Sequence, residues 1–180
     1  MDFRTGYGAA WLDLLATRLG RYSGAEPTEF LADPAALRQW LGEHDLVPAG
    51  RIDPDDVANA QALRESLHGL AAAAVAGRRP AAADVRMVAA ALLADSPPQL
   101  RLTPDGLRAQ RPVDIAQALG RLARQAVDQL VGPERVRLRA CGDETCAGIF
   151  LDDTGRRRWC ADERCGVKVR VRAHRARQKA

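Results

Sequence analysis

Residues 141–170 read CGDETCAGIFLDDTGRRRWCADERCGVKVR. Four residues separate Cys141 from Cys146, four separate Cys160 from Cys165, and thirteen separate the pairs. Zinc in closed structural sites takes four tetrahedral thiolates, and ligand pairs two to four residues apart let one tight turn supply two of them. Gly142 and Gly166 directly follow a cysteine, where a loop has to fold round a metal. The competing readings are two disulfides or a redox-active pair. A cytoplasmic, reducing setting disfavours a disulfide framework. The spacing therefore predicts one structural Zn2+ per chain, held by Cys141, Cys146, Cys160 and Cys165.

Between the pairs, Ile149-Phe150-Leu151 and Arg158-Trp159-Cys160 flank Asp152-Asp153-Thr154-Gly155. With Thr154-Gly155 at the turn, this reads as a hairpin that places Phe150 opposite Trp159. Arg135 to Arg139, alternating arginine with apolar residues, could add a strand before the first pair. After Cys165, good helix formers predict a tail helix with Arg164, Lys168, Arg172, Arg175 and Lys179 on one face. Val167, Val171 and His174 are placed beside that face, where they could pack on the zinc knuckle. Four cysteines already fill a zinc site, so His174 is expected in packing or phosphate contact rather than in the metal shell.

Charge sharpens the picture. The net charge is +4, and residues 1–140 hold 17 basic and 17 acidic side chains, so the whole excess lies in the last forty residues. Such asymmetry points to a polyanionic partner or to a solvated basic tail. Arg156, Arg157, Arg158, Lys168, Arg172 and Arg175 are the candidate nucleic-acid contacts; Arg158 could instead brace the knuckle.

Upstream the sequence is helical. The hydrophobic fraction is 47% but the aromatic fraction only 4%, so the core must be mostly Leu, Ala and Val. A helix is expected from about Ala9 to Leu19, with Trp11, Leu12, Leu15 and Leu19 inward. Asp33-Pro34 and Asp53-Pro54 each carry a helix-opening signal. In the helix after Pro54, Ala60, Leu63, Leu67, Leu70, Ala71 and Ala74 share one face. Another helix covers roughly 81–94. A short hairpin over 99–111 turns at Pro104-Asp105-Gly106. A last long helix starts at Pro112, with Ile115, Leu119, Leu122, Ala126 and Leu130 as its stripe. The expected class is mainly α: a helical domain over 1–132, then a zinc-ribbon-like β-hairpin module with a basic C-terminal helix over 133–180.

No apolar run approaches a membrane span, and no secretory leader is evident, so the expectation is a cytoplasmic protein without a membrane partner. His44 and His68 are single histidines expected in surface or packing roles, and Trp11 and Trp40 in the core. No phosphate loop, activated serine or credible carboxylate pair is visible, so no enzyme is expected.

Cys141/Cys146, Phe150-Leu151-Asp152, Arg158-Trp159-Cys160 and Cys165-Gly166-Val167-Lys168 resemble the motifs of the CGNR-type zinc finger, and residues 9 to about 131 resemble the helical ABATE domain that precedes it. The resemblance implies that the four cysteines are zinc ligands and that the chain is similar to stress-induced bacterial transcription regulators. Some members are labelled RNA-binding zinc-ribbon-like. Three positions depart from the pattern. Val167 and Lys168 replace the signature Asn and Arg, losing an amide and a bidentate fork, and Ala16-Thr17 stands where the family tends to have Asn-Thr. The leading expectation is a DNA-binding regulator whose helical domain senses a small-molecule effector or forms a homodimer. RNA binding is the alternative within nucleic acid, and a zinc-stabilised protein-interaction module the alternative outside it.

Overall fold

A computed structural model of the chain describes residues 2–24 and 26–178. α1 (Ala10–Leu15) buries Trp11, Leu12, Leu14 and Leu15 but ends at Leu15, short of the Leu19 that periodicity suggested. The cause is non-local: the Thr17 hydroxyl donates to the Leu14 carbonyl (2.7 Å) and accepts from the buried Arg64 guanidinium (3.0 Å). The chain then runs extended as β1 (Arg18–Leu19), antiparallel to β2 (Thr28–Glu29). Arg64, 1% exposed, is neutralised by a two-pronged contact with Glu29 (2.7 and 2.6 Å), which a buried guanidinium requires.

Both Asp-Pro signals open helices. Asp33 accepts from the Ala36 amide at the start of α2 (Pro34–Glu43). Asp53 and Asp56 form a reciprocal capping box at the start of α3 (Pro54–Val75). α4 (Ala82–Leu92) returns along α3 and leads to the hairpin of β3 (Leu100–Thr103) and β4 (Gly106–Ala109). α5 (Ile115–Val131) starts at Ile115 rather than Pro112, because Asp114 is the residue that caps it, accepting from the Gln117 amide (2.8 Å). Trp11, Trp40, Leu37, Leu63, Leu67 and Leu122 form the centre of the core, each at most 1% exposed. His68 packs edge-on to Tyr22 and bonds the Ala147 carbonyl, while His44 stacks on Trp40.

The C-terminal module does not form the expected hairpin. After a tight turn at Pro133–Arg137 come β5 (Leu138–Ala140) and β6 (Ile149–Leu151), paired Leu138↔Leu151, Arg139↔Phe150 and Ala140↔Ile149. The partner of Ile149-Phe150-Leu151 thus lies before the first knuckle, and Phe150 does not face Trp159 across a ladder. A turn does form at Asp152–Gly155: Asp152 accepts from the Thr154 amide and hydroxyl, and Gly155 has φ +69°. The residues beyond it do not return as a strand. The reason is burial. All three β6 residues are buried, with Phe150 fully inside, in a core continuous with that of α1, α3 and α5.

The junction is intimate. The Leu151 amide donates to the Tyr7 carbonyl (2.9 Å), and Gly8, at φ +102°, lies so close that a Cβ there would meet Leu151 Cβ at 2.8 Å. Only glycine meets both demands. A π-type turn at Asp162–Gly166 feeds α6 (Val167–Arg177). No helix among the described residues is long and apolar enough to cross a membrane.

Candidate metal centre and nucleic-acid interface

The four thiols come from two turns. In the first, the Cys141 amide donates to the Gly148 carbonyl (2.8 Å), which closes the loop, and Asp143 shapes its interior by accepting from the Thr145 amide (3.1 Å) and hydroxyl (3.0 Å). In the second, the Cys165 amide returns to the Ala161 carbonyl (2.9 Å). The glycines serve close approach rather than left-handed backbone: a Cβ on Gly142 would stand 3.0 Å from the Arg158 carbonyl oxygen, and one on Gly166 would stand 2.3 Å from the Asp162 carboxylate.

The sulfur atoms all lie within 4.8 Å of one another, with Cys146–Cys160 at 3.7 Å and Cys160–Cys165 at 3.6 Å. A tetrahedron with metal–sulfur bonds of about 2.3 Å has sulfur–sulfur edges of about 3.8 Å, whereas a disulfide needs about 2.05 Å. The cysteines are unbridged, and the Cys146–Cys160 and Cys160–Cys165 distances lie close to the tetrahedral edge. Backbone amides point at the cluster, Gly148 N–H to Cys146 Sγ (3.3 Å) and Cys160 N–H to Cys141 Sγ (3.5 Å), as they do for thiolates.

The electrostatics of the thiols agrees with this. Hydrogen bonds from the Cys146 and Cys160 thiols pull Cys141 far down, to about 2. Its partner Cys146 is held protonated far above the thiol range by that same bond, and burial with the neighbouring Cys160 charge pushes Cys165 up to about 12. Four thiolates so close cannot coexist without a cation, and a divalent metal removes the conflict.

Around the cluster, arginines brace the module. Arg157 lies over Phe150 (4.5 Å to the ring centre) and donates to the carbonyls of Trp159, Gly6 and Cys160, so most of its N–H groups are spent tying the N-terminal segment to the knuckle. Arg158 and Arg170 sit over Trp159 at 5.2 and 5.6 Å, and Arg170 grips Asp162 with both amino groups. Arg156 and Arg175 are exposed, with no side-chain partner among the described residues.

α6 has no buried residue. Val167 and Val171 are 44% and 41% exposed and His174 bonds Gln178, so none of the three is buried against the knuckle. What aims the helix instead is Asp143, itself 1% exposed. It pairs with Arg172 and lies 3.6 Å from the Lys168 ammonium, which also donates to Thr145 (2.8 Å). These bonds hold the Asp143 carboxyl below its usual range against the cost of burial. Lys179 lies outside the described residues.

A family model described as "putative stress-induced transcription regulator", ABATE, matches residues 8–133, and a CGNR zinc-finger model matches residues 137–178. The chain belongs to the ABATE family. Its CGNR zinc finger supplies four cysteines that hold one Zn2+. No curated protein matches the chain.

In the ABATE part, Ala16 lines a recess of about 210 Å³ against the finger, where Arg4, Arg18, Arg164 and Lys168 also gather. Next to it in the chain, Thr17 is fully occupied by Arg64 and Leu14. Sequence reasoning missed Asp143 as the residue that aims α6. The available signal was Asp-x-Thr, which occurs at Asp143–Thr145 and again at Asp152–Thr154 with the same bond lengths. Such segments bend the chain through a side-chain bond to the second amide onward.

Proposed function

We propose that this ABATE–CGNR protein is a DNA-binding transcriptional regulator, in which the zinc finger presents α6 to the duplex and the helical domain senses a signal or dimerises. The observation that carries this reading is α6 itself. It is an 11-residue helix with no buried side chain, fixed at its root by two zinc knuckle turns and steered by Asp143. A helix that contributes nothing to its own core is available to a partner, and its width suits the major groove. Arg175 and Arg177 on α6, with Arg156 after the Asp152–Gly155 turn, offer cations to phosphates from a body that is already ordered, which avoids the cost of folding on binding. Lys168 and Arg172 can join by exchanging Asp143 for phosphate. Arg157 and Arg158 support the scaffold beneath. The role is binding rather than catalysis, since four thiolates leave zinc no open position.

Competition binding with duplex DNA, single-stranded DNA and structured RNA at low salt tests this. Duplex DNA is expected to win. Preference for RNA would transfer the reading to an RNA-binding regulator, and no binding to any of the three would transfer it to a protein-interaction module.

A further inference from the structure

α3 keeps its apolar stripe to its last turns, but the stripe loses its cover there. Leu63, Leu67 and Ala71 are buried, while Leu70 and Ala74 are only half-buried. α4 buries a single residue, Val88, and Val127 and Leu130 of α5 stay half-open. The three helices leave between them an apolar groove of about 360 Å³, floored by Val88 and walled by Leu70, Leu92, Val127 and Leu130.

One end of that groove is cationic. Arg78 follows α3 and Arg135 follows α5; both line the groove, both are exposed, and neither has an ion pair among the described residues. α4 begins at the same end, beside Pro80, with Ala81 at its N-cap and no side chain bonded to its first amides. Both guanidiniums and the start of α4, whose first turn also carries Asp84, border the groove.

We propose that this groove binds a small amphipathic carboxylate, an aliphatic or aromatic organic acid, with its carboxylate on Arg78 and Arg135 and its apolar part along the trough. Guanidinium is the group that matches a carboxylate with two parallel bonds. The volume falls in the range of small-molecule sites, which are mostly apolar with a few convergent polar groups. Arg135 sits in the turn that leads into β5, so a ligand holding it acts on the strand that immediately precedes the first zinc ligand, Cys141. A regulatory meaning rests on the DNA-binding reading; the binding site does not.

The test is calorimetric titration of the zinc-loaded full chain with decanoate and, as the uncharged counterpart, decanol, in the absence of nucleic acid. Decanoate is expected to bind saturably at one per chain. Arg78→Gln with Arg135→Gln should weaken decanoate by at least about tenfold and leave decanol unchanged. Ala89→Trp, at an exposed position on the groove wall, should block both while helical content and zinc content stay at wild-type levels. No saturable binding, equal decanoate affinity in the arginine variant, or undiminished binding in Ala89→Trp would each overturn the proposal. Because no nucleic acid is present, such a failure leaves the DNA reading standing, and a failed DNA test leaves this site standing.

Discussion

α5 and α6 are both regular helices, yet they are held by different forces. α5 has a side-chain cap and seven buried residues, so its place is set by apolar packing. α6 has neither; it is rooted in the second zinc turn and aimed by pairs to Asp143 and Asp162. An element fixed by burial is part of the core, whereas one fixed by metal and charge keeps its surface for something else. β6 shows that the finger as a whole is not loosely tethered: its three residues are as deep in the core as those of α5.

The largest expected break in this contrast is metal removal. Structural zinc contributes on the order of 10–16 kcal/mol of apparent binding free energy to such modules. Chelation, or Cys160→Ser, should therefore abolish amide protection through α6 while β6 and α5, which the apolar core holds, remain protected, as read by hydrogen exchange. Equal loss in α5 would show that both helices depend on the metal.

Phe150→Ala comes next. It deletes a fully buried side chain at the junction and should cost about 3–5 kcal/mol of global stability in urea unfolding. A loss confined to the finger, with the helical domain unaffected, would break the continuous core.

Acid should act on the packed part. Burial opposes ionisation of Glu65, but hydrogen bonding and charge from Arg21, with Arg64 and Arg18, override it and lower its pKa from 4.5 to about 2. A depressed carboxylate stabilises the fold fully above its unfolded value and loses that contribution as pH falls from about 4.5 toward 2. Glu65→Gln should therefore flatten the acid limb of the stability curve in that window and leave the limb above it parallel.

The smallest effect is the most informative about α6. Asp143→Asn keeps the turn's acceptor but removes the charge facing Lys168 and Arg172. Those partners are half in solvent, so stability should fall by only about 0.5–1 kcal/mol, while exchange of the α6 amides accelerates. Unchanged α6 protection would mean that the knuckle alone aims the helix.

Local chemistry made much of this legible from residues alone. Each Asp-Pro opening depends on a side chain reaching an amide two or three positions ahead, and each cysteine pair on one turn, so spacing sufficed. What stayed hidden depended on distant chain. α1 stops early because Arg64 takes the Thr17 hydroxyl. β6 pairs with β5 across the first knuckle, although a local hairpin offered Phe150 an aromatic partner in Trp159, because the helical core offers Phe150 complete burial. The basic face of α6 was visible as a pattern, but its orientation by an aspartate between two zinc ligands was not. Arg157, one of three consecutive arginines alike in sequence, is singled out only by the carbonyls of Gly6, Trp159 and Cys160 that surround it.

The central claim is that zinc-rooted α6 is a nucleic-acid-binding surface, and the salt dependence of duplex DNA binding by the zinc-loaded chain, measured by fluorescence anisotropy, tests it most directly. The account predicts a linear fall of log K with log salt at about 0.9 per phosphate neutralised, and a slope shallower by about 1.8 in Arg175→Gln with Arg177→Gln, at unchanged zinc content. Salt-independent binding, or the same slope in that variant, would contradict it.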